Sequence, residues 1–102
     1  MGLIKKYAKG NGTCRVTFSL PKETVRTAKN VHLVGEFNDW QEKRTPMVKS
    51  KDGSLRVVLD LKAGREYQYR YLIDGTTWEN DFKADKYVPS PYGACDNSVV
   101  IV

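Results

Sequence analysis

The chain has 102 residues, a net charge of +5, two cysteines and one histidine. That length fits a single domain with a modest core, and the few soft ligands stand at no metal-binding spacing. No apolar run is long enough to cross a bilayer, and the start MGLIKKYAKG lacks the apolar centre of a signal peptide, so a cytoplasmic protein is expected. Basic residues outnumber acidic ones 14 to 7 over residues 1–66 and trail them 3 to 5 over 67–102. They are scattered along the chain, which reads as a solubilising surface, and neither nucleic acid nor a membrane is expected as a partner.

Residues 1–12 read as a tail, and 13–102 as one domain. In TCRVTFSL, strict alternation sets Cys14, Val16, Phe18 and Leu20 against Arg15, Thr17 and Ser19, the period of a half-buried strand. Cys14 and Cys95 are expected as reduced thiols in such a compartment, with a bridge as the alternative. VHLVG is a shorter, more apolar strand. Gly35 then lets the chain leave it, Phe37 packs inward, and Asn38-Asp39 form a turn whose short polar side chains bond their own backbone. In SLRVVLDL, Leu55, Val57, Leu59 and Leu61 face one way. In EYQYRYLIDG, Tyr67, Tyr69, Tyr71 and Ile73 are set inside, which leaves Arg70 outside. SVVIV is the last strand. Asp52-Gly53 and Asp74-Gly75 between strand patterns are hairpin signals. Short strands with regular turns and no amphipathic helix predict an all-β sandwich.

Catalytic chemistry finds little support. Glu79 and Asp81 lie two apart on a strand-like stretch with Asp85 nearby, but a small domain offers little cleft to desolvate them, and they read as solvated edge carboxylates. His32 has no nucleophile in a strained turn beside it, and Gly10-Asn11-Gly12 precedes a strand, not a helix. No cofactor is expected. Binding is better served: Trp40, Trp78 and Tyr92 stand at turns and loops of a rigid β scaffold, with Arg70 on a strand between them. Flat rings suit the apolar faces of glucose units. The competing reading buries each tryptophan in the core.

VHLVGEFNDW, followed by EYQYRYLIDGTTWEND and PYGACDNSVVIV, resembles carbohydrate-binding module family 48. That family includes isoamylase N-terminal-type domains and the glycogen-binding domain of the AMP-activated protein kinase β subunit. The resemblance runs from about Cys14 to Val102. It implies an immunoglobulin-like (early-set) sandwich that binds α-1,4-glucans such as glycogen, starch or maltooligosaccharides, without catalysis. Carried over, the two platform tryptophans fall on Trp40 and Trp78 and the basic residue on Arg70. The polar final loop falls on Tyr92 to Asn97, so that Tyr92, Asp96 and Asn97 join the site. The loop departs from the family at Ala94 and Asp96, where threonine and asparagine are usual. The alternative is a module of the same fold that no longer binds sugar and docks to a glucan-metabolising enzyme or a kinase.

Overall fold

The alternating runs do pair as strands. The computed structural model describes residues 3–10, 12–23, 28–90 and 96–102. One sheet has the order β1-β2-β5-β4, with β1 at Leu3–Tyr7, β2 at Thr13–Leu20, β4 at Val48–Lys49 and β5 at Leu55–Lys62. The other runs β3-β6-β9-β8, with β3 at Val31–Gly35, β6 at Glu66–Ile73, β8 at Lys86–Pro89 and β9 at Asp96–Ile101; β7, Thr77–Glu79, pairs with β6. Every pairing is antiparallel. The two sheets pack as an immunoglobulin-like sandwich. Among the described residues there is no α-helix, only a 3-10 turn at Glu36–Asn38.

The predicted faces meet at the centre. Cys14, Val16, Phe18 and Leu20 of β2 are buried, with Leu33 of β3 and Tyr69 and Tyr71 of β6 opposite them. Phe18 packs edge-on to Tyr69, with ring centroids 5.1 Å apart, and touches Phe37 at 5.6 Å. Phe37 therefore packs inward, as its sequence position predicts. The Asp74-Gly75 turn has positive φ at both residues, 52° and 71°, and joins β6 to β7, which suits an Asp-Gly pair. Cys14 is a buried free thiol; Cys95, and with it the bridge question, lies outside the described residues.

Two expectations change. Residues 3–7, expected within a tail, form β1 and pair with β2 from Leu3↔Phe18 to Tyr7↔Cys14. The pattern LIKKY hides this because Lys5, in register with Val16, takes an inward position at the sandwich edge. There its ammonium meets Asp85 Oδ2 at 2.6 Å, and the same oxygen accepts from Ile101 N at 2.7 Å. An inward charge on an edge strand also discourages pairing with another chain.

Asp81 is the second. Far from being a solvated edge carboxylate, it is 2 % exposed, because two core tyrosines need an acceptor. Gly35 stands where space allows no side chain. Its φ of −172° is extended backbone that any residue can adopt. Glycine is needed because a Cβ there would stand 2.6 Å from Gln68 O and 2.7 Å from Tyr69 Cβ.

Candidate functional site

β3 stops where Gly35 meets Tyr69, and the chain tightens into the Glu36–Asn38 turn. Asn38 is buried and holds this turn from inside. Its Oδ1 accepts from Gly35 N at 3.1 Å, while its Nδ2 donates to Leu33 O and Thr45 Oγ1, both at 2.9 Å. A buried amide so fully bonded is stable where an unpaired one would not be. Asp39 and Trp40 then both take left-handed backbone, φ 57° and 58°, and Trp40 N donates to Gly35 O at 2.9 Å. Two successive non-glycine residues in this region carry strain of about 1 kcal/mol each; such strain gathers at functional positions. Its product is a tryptophan ring held out beside the sheet.

The outer face of the β3-β6-β9-β8 sheet supplies the rest. Period two sends Gln68, Arg70 and Leu72 of β6 outward. Leu72 is nonetheless only 2 % exposed. Its direct cross-strand neighbours are His32 and Trp78, whose side chains share that face. Trp40 and Trp78, each 39 % exposed, line one shallow cleft of about 510 Å³. Gln68, Arg70 and Asn97 line it too, with Glu36 and Glu42 among its other residues. Asn97 is buried; its Oδ1 accepts from Arg70 Nε at 2.6 Å and its Nδ2 donates to Gln68 Oε1 at 3.0 Å.

The strand that carries Trp78 is clamped just beyond it. Asn80 Nδ2 donates to Asp96 O and Ser98 Oγ donates to Asn80 Oδ1, both at 2.8 Å, while Asp81 N donates to Ser98 Oγ at 2.9 Å. Behind the face, Tyr69 and Tyr71 hydroxyls donate to Asp81 Oδ2 at 2.8 and 3.2 Å. Tyr87 hydroxyl donates to Asp81 O. Burial, followed by the nearby Asp81 charge and hydrogen bond, pushes both Tyr69 and Tyr71 far above the usual tyrosine range. A core fastened in this way gives the outer face a firm backing.

Trp40, Arg70, Trp78 and Asn97 thus come together in one cleft. Asp96 is exposed at the start of β9 and is not among the cleft residues. Tyr92 lies outside the described residues. Sequence reasoning missed Gln68 and Glu36. Gln68 was accessible to it, since it stands two before Arg70 and so shares its face. Glu36 had no such signal, because its role depends on where β3 stops. Among the described residues, no group of His, Cys, Asp or Glu could hold a metal ion.

The family model for the glycogen recognition site of AMP-activated protein kinase matches residues 14–101. The chain is also similar to 1,4-alpha-glucan branching enzymes. It is 41 % identical to that of Aquifex aeolicus over 64 residues, which cover 59 % of this chain and 10 % of the enzyme. It is 33 % identical to those of Butyrivibrio fibrisolvens and Bacillus cytotoxicus, each over 60 residues, 59 % of this chain and 9 % of the enzyme. The match thus spans about a tenth of the length of these curated relatives.

Proposed function

Because the chain belongs to the family of the glycogen recognition site of AMP-activated protein kinase, a family of non-catalytic carbohydrate-binding modules, we propose that it binds α-1,4-linked glucans by stacking glucose rings on Trp40 and Trp78. One observation carries this reading: two half-exposed tryptophans share a cleft with a polar Gln68–Asn97–Arg70 row. Aromatic faces cover the apolar side of a glucose ring, while the guanidinium and amides meet its hydroxyls. Asp96, at the start of β9, and Tyr92 are proposed to add contacts. Glycogen, starch and maltooligosaccharides all present this surface. A cytoplasmic setting and a glucan-metabolising enzyme as neighbour belong to the same proposal, supported by the branching enzymes that the chain resembles.

A stack that covers about 100 Å² contributes ~2.5 kcal/mol at ~25 cal/mol/Å². Lost freedom on binding offsets part of the total, so a Kd on the order of 0.01–1 mM is expected. Titration of tryptophan emission with maltoheptaose, backed by retention on amylose, tests the proposal. A saturable change at sub-millimolar to millimolar sugar supports it. A flat titration, together with no retention, would leave the sugar-silent docking module as the reading.

A further inference from the structure

A hydrogen-bond path crosses the cleft floor from the Trp40 turn to the Arg70 guanidinium, and from it we infer that Glu36 is a positioning residue for ligand recognition. The inference rests on the glucan-binding reading above and deepens it. β3 ends at Gly35, opposite Tyr69, and Gln68 N stands one residue further along β6. It donates to Glu36 Oε1 at 2.6 Å, a bond strengthened by the carboxylate charge. The side chain of the same Gln68 accepts from Asn97 Nδ2 at 3.0 Å, and Asn97 Oδ1 accepts from Arg70 Nε at 2.6 Å.

The order of these bonds is forced. Turning the Asn97 amide over would set its NH₂ group against the Arg70 N–H and its oxygen against Gln68 Oε1, so one orientation holds. With Nε pinned, the plane of the guanidinium is set. Its two terminal nitrogens have no hydrogen bond to any described residue. They form a fork that suits neighbouring hydroxyls of one sugar ring. On its other side Glu36 follows Gly35, whose carbonyl holds Trp40 N at 2.9 Å. One carboxylate therefore joins the turn that presents the ring to the row that aims the cation. Glu36 is itself exposed, so this link is not a condition for folding.

The test measures maltoheptaose affinity for wild type, Glu36→Ala, Glu36→Gln, Arg70→Ala and the Glu36→Ala/Arg70→Ala pair. Urea midpoints and the Arg70 Nε–Hε resonance of sugar-free protein accompany it. Glu36→Ala should weaken binding about fivefold, the loss of one hydrogen bond, with its urea midpoint nearly unchanged. Glu36→Gln, which keeps the acceptor, should bind within about twofold of wild type. The Arg70 resonance should move in the alanine variant and return in the glutamine variant. The double variant should bind no worse than Arg70→Ala alone, because the two act as one unit.

Additive losses with an unmoved resonance would overturn the inference and leave Glu36 as a direct sugar contact. Full affinity in Glu36→Ala would overturn it as well. Should that variant fail to fold, Glu36→Asp, one methylene too short to reach Gln68 N, takes its place. A wild type that binds no maltoheptaose refutes the glucan reading alone, and the Arg70 resonance still decides the coupling.

Discussion

Removing the Trp40 ring separates its part in packing from its proposed part as a sugar platform. The residue is 39 % exposed, so about three fifths of its surface is covered by protein. A fully buried aromatic covers about 200 Å²; three fifths of that gives ~120 Å² and ~3 kcal/mol at ~25 cal/mol/Å². Alanine keeps part of the contact, and the denatured chain already covers some. Trp40→Ala should therefore lower stability by about 2 kcal/mol, more than a surface change and less than an emptied core site. A domain of this size has about 5–15 kcal/mol in hand, so the variant stays folded at 25 °C.

Its affinity should fall by the whole stack, about 2.5 kcal/mol or ~70-fold, which moves the Kd to about 0.7–70 mM. Trp40→Gly is the control. It loses the same ring but suits φ 58°, and should be more stable than the alanine variant by about 1 kcal/mol, the reverse of the order in a regular strand. Urea midpoints and calorimetric titration with maltoheptaose read all three proteins. Wild-type affinity in a folded Trp40→Ala protein would refute the platform. Alanine more stable than glycine would refute the backbone geometry behind it.

Gly35→Ala should cost more than about 3 kcal/mol and abolish binding, since its Cβ meets β6 main chain at 2.6 Å and no flexible side chain can yield; a urea midpoint near wild type would contradict this. Tyr69 and Tyr71 are raised above the ordinary tyrosine range in the fold, so the unfolded chain releases their protons first. Their contribution is complete below about pH 10 and is lost as pH rises above it, with a slope of about 2.7 kcal/mol per pH unit for two groups. Urea midpoints from pH 9 to 12 should fall accordingly, and Tyr71→Phe should fall about half as steeply; identical slopes would sink the reasoning. Deleting residues 1–7 removes β1 and the Lys5–Asp85 pair, and should lower the melting temperature by at least about 4 °C, whereas a dispensable tail would leave it unchanged.

The inner face of the sandwich was readable because burial imposes period two on every long strand. Val16, Phe18, Tyr69 and Tyr71 all lie where alternation sets them. The two tryptophans and Arg70 were readable because turns and outward parity put them on one side. What escaped the sequence depends on contacts far apart in the chain. Asp81 looks like any edge carboxylate on a strand-like stretch until Tyr69 and Tyr71, twelve and ten positions away, turn their hydroxyls to it. Lys5 breaks the apolar pattern of β1 because its partner, Asp85, is 80 residues on. Why a glycine must stand at 35 escaped for the same reason: its neighbour across the sheet is Tyr69, and the constraint is space.

From residue 35 to residue 40, local preference and observed conformation part company. A glycine sits in extended backbone, an asparagine is buried, and an aspartate and a tryptophan are both left-handed. In a sequence otherwise consistent with its fold, conflicts of this kind belong where function overrides stability. Only the left-handed pair carries strain; Gly35 and Asn38 supply the means to hold it. Without a Cβ at 35 the turn can lie against β6, and the Asn38 amide ties that turn to Leu33 and Thr45 on either side. The ring of Trp40 is thereby fixed to the same strand pair that carries Arg70, and β6 in turn carries β7 and Trp78. Both rings and the cation share one rigid frame, so the proposed glucan ligand would meet a site already ordered.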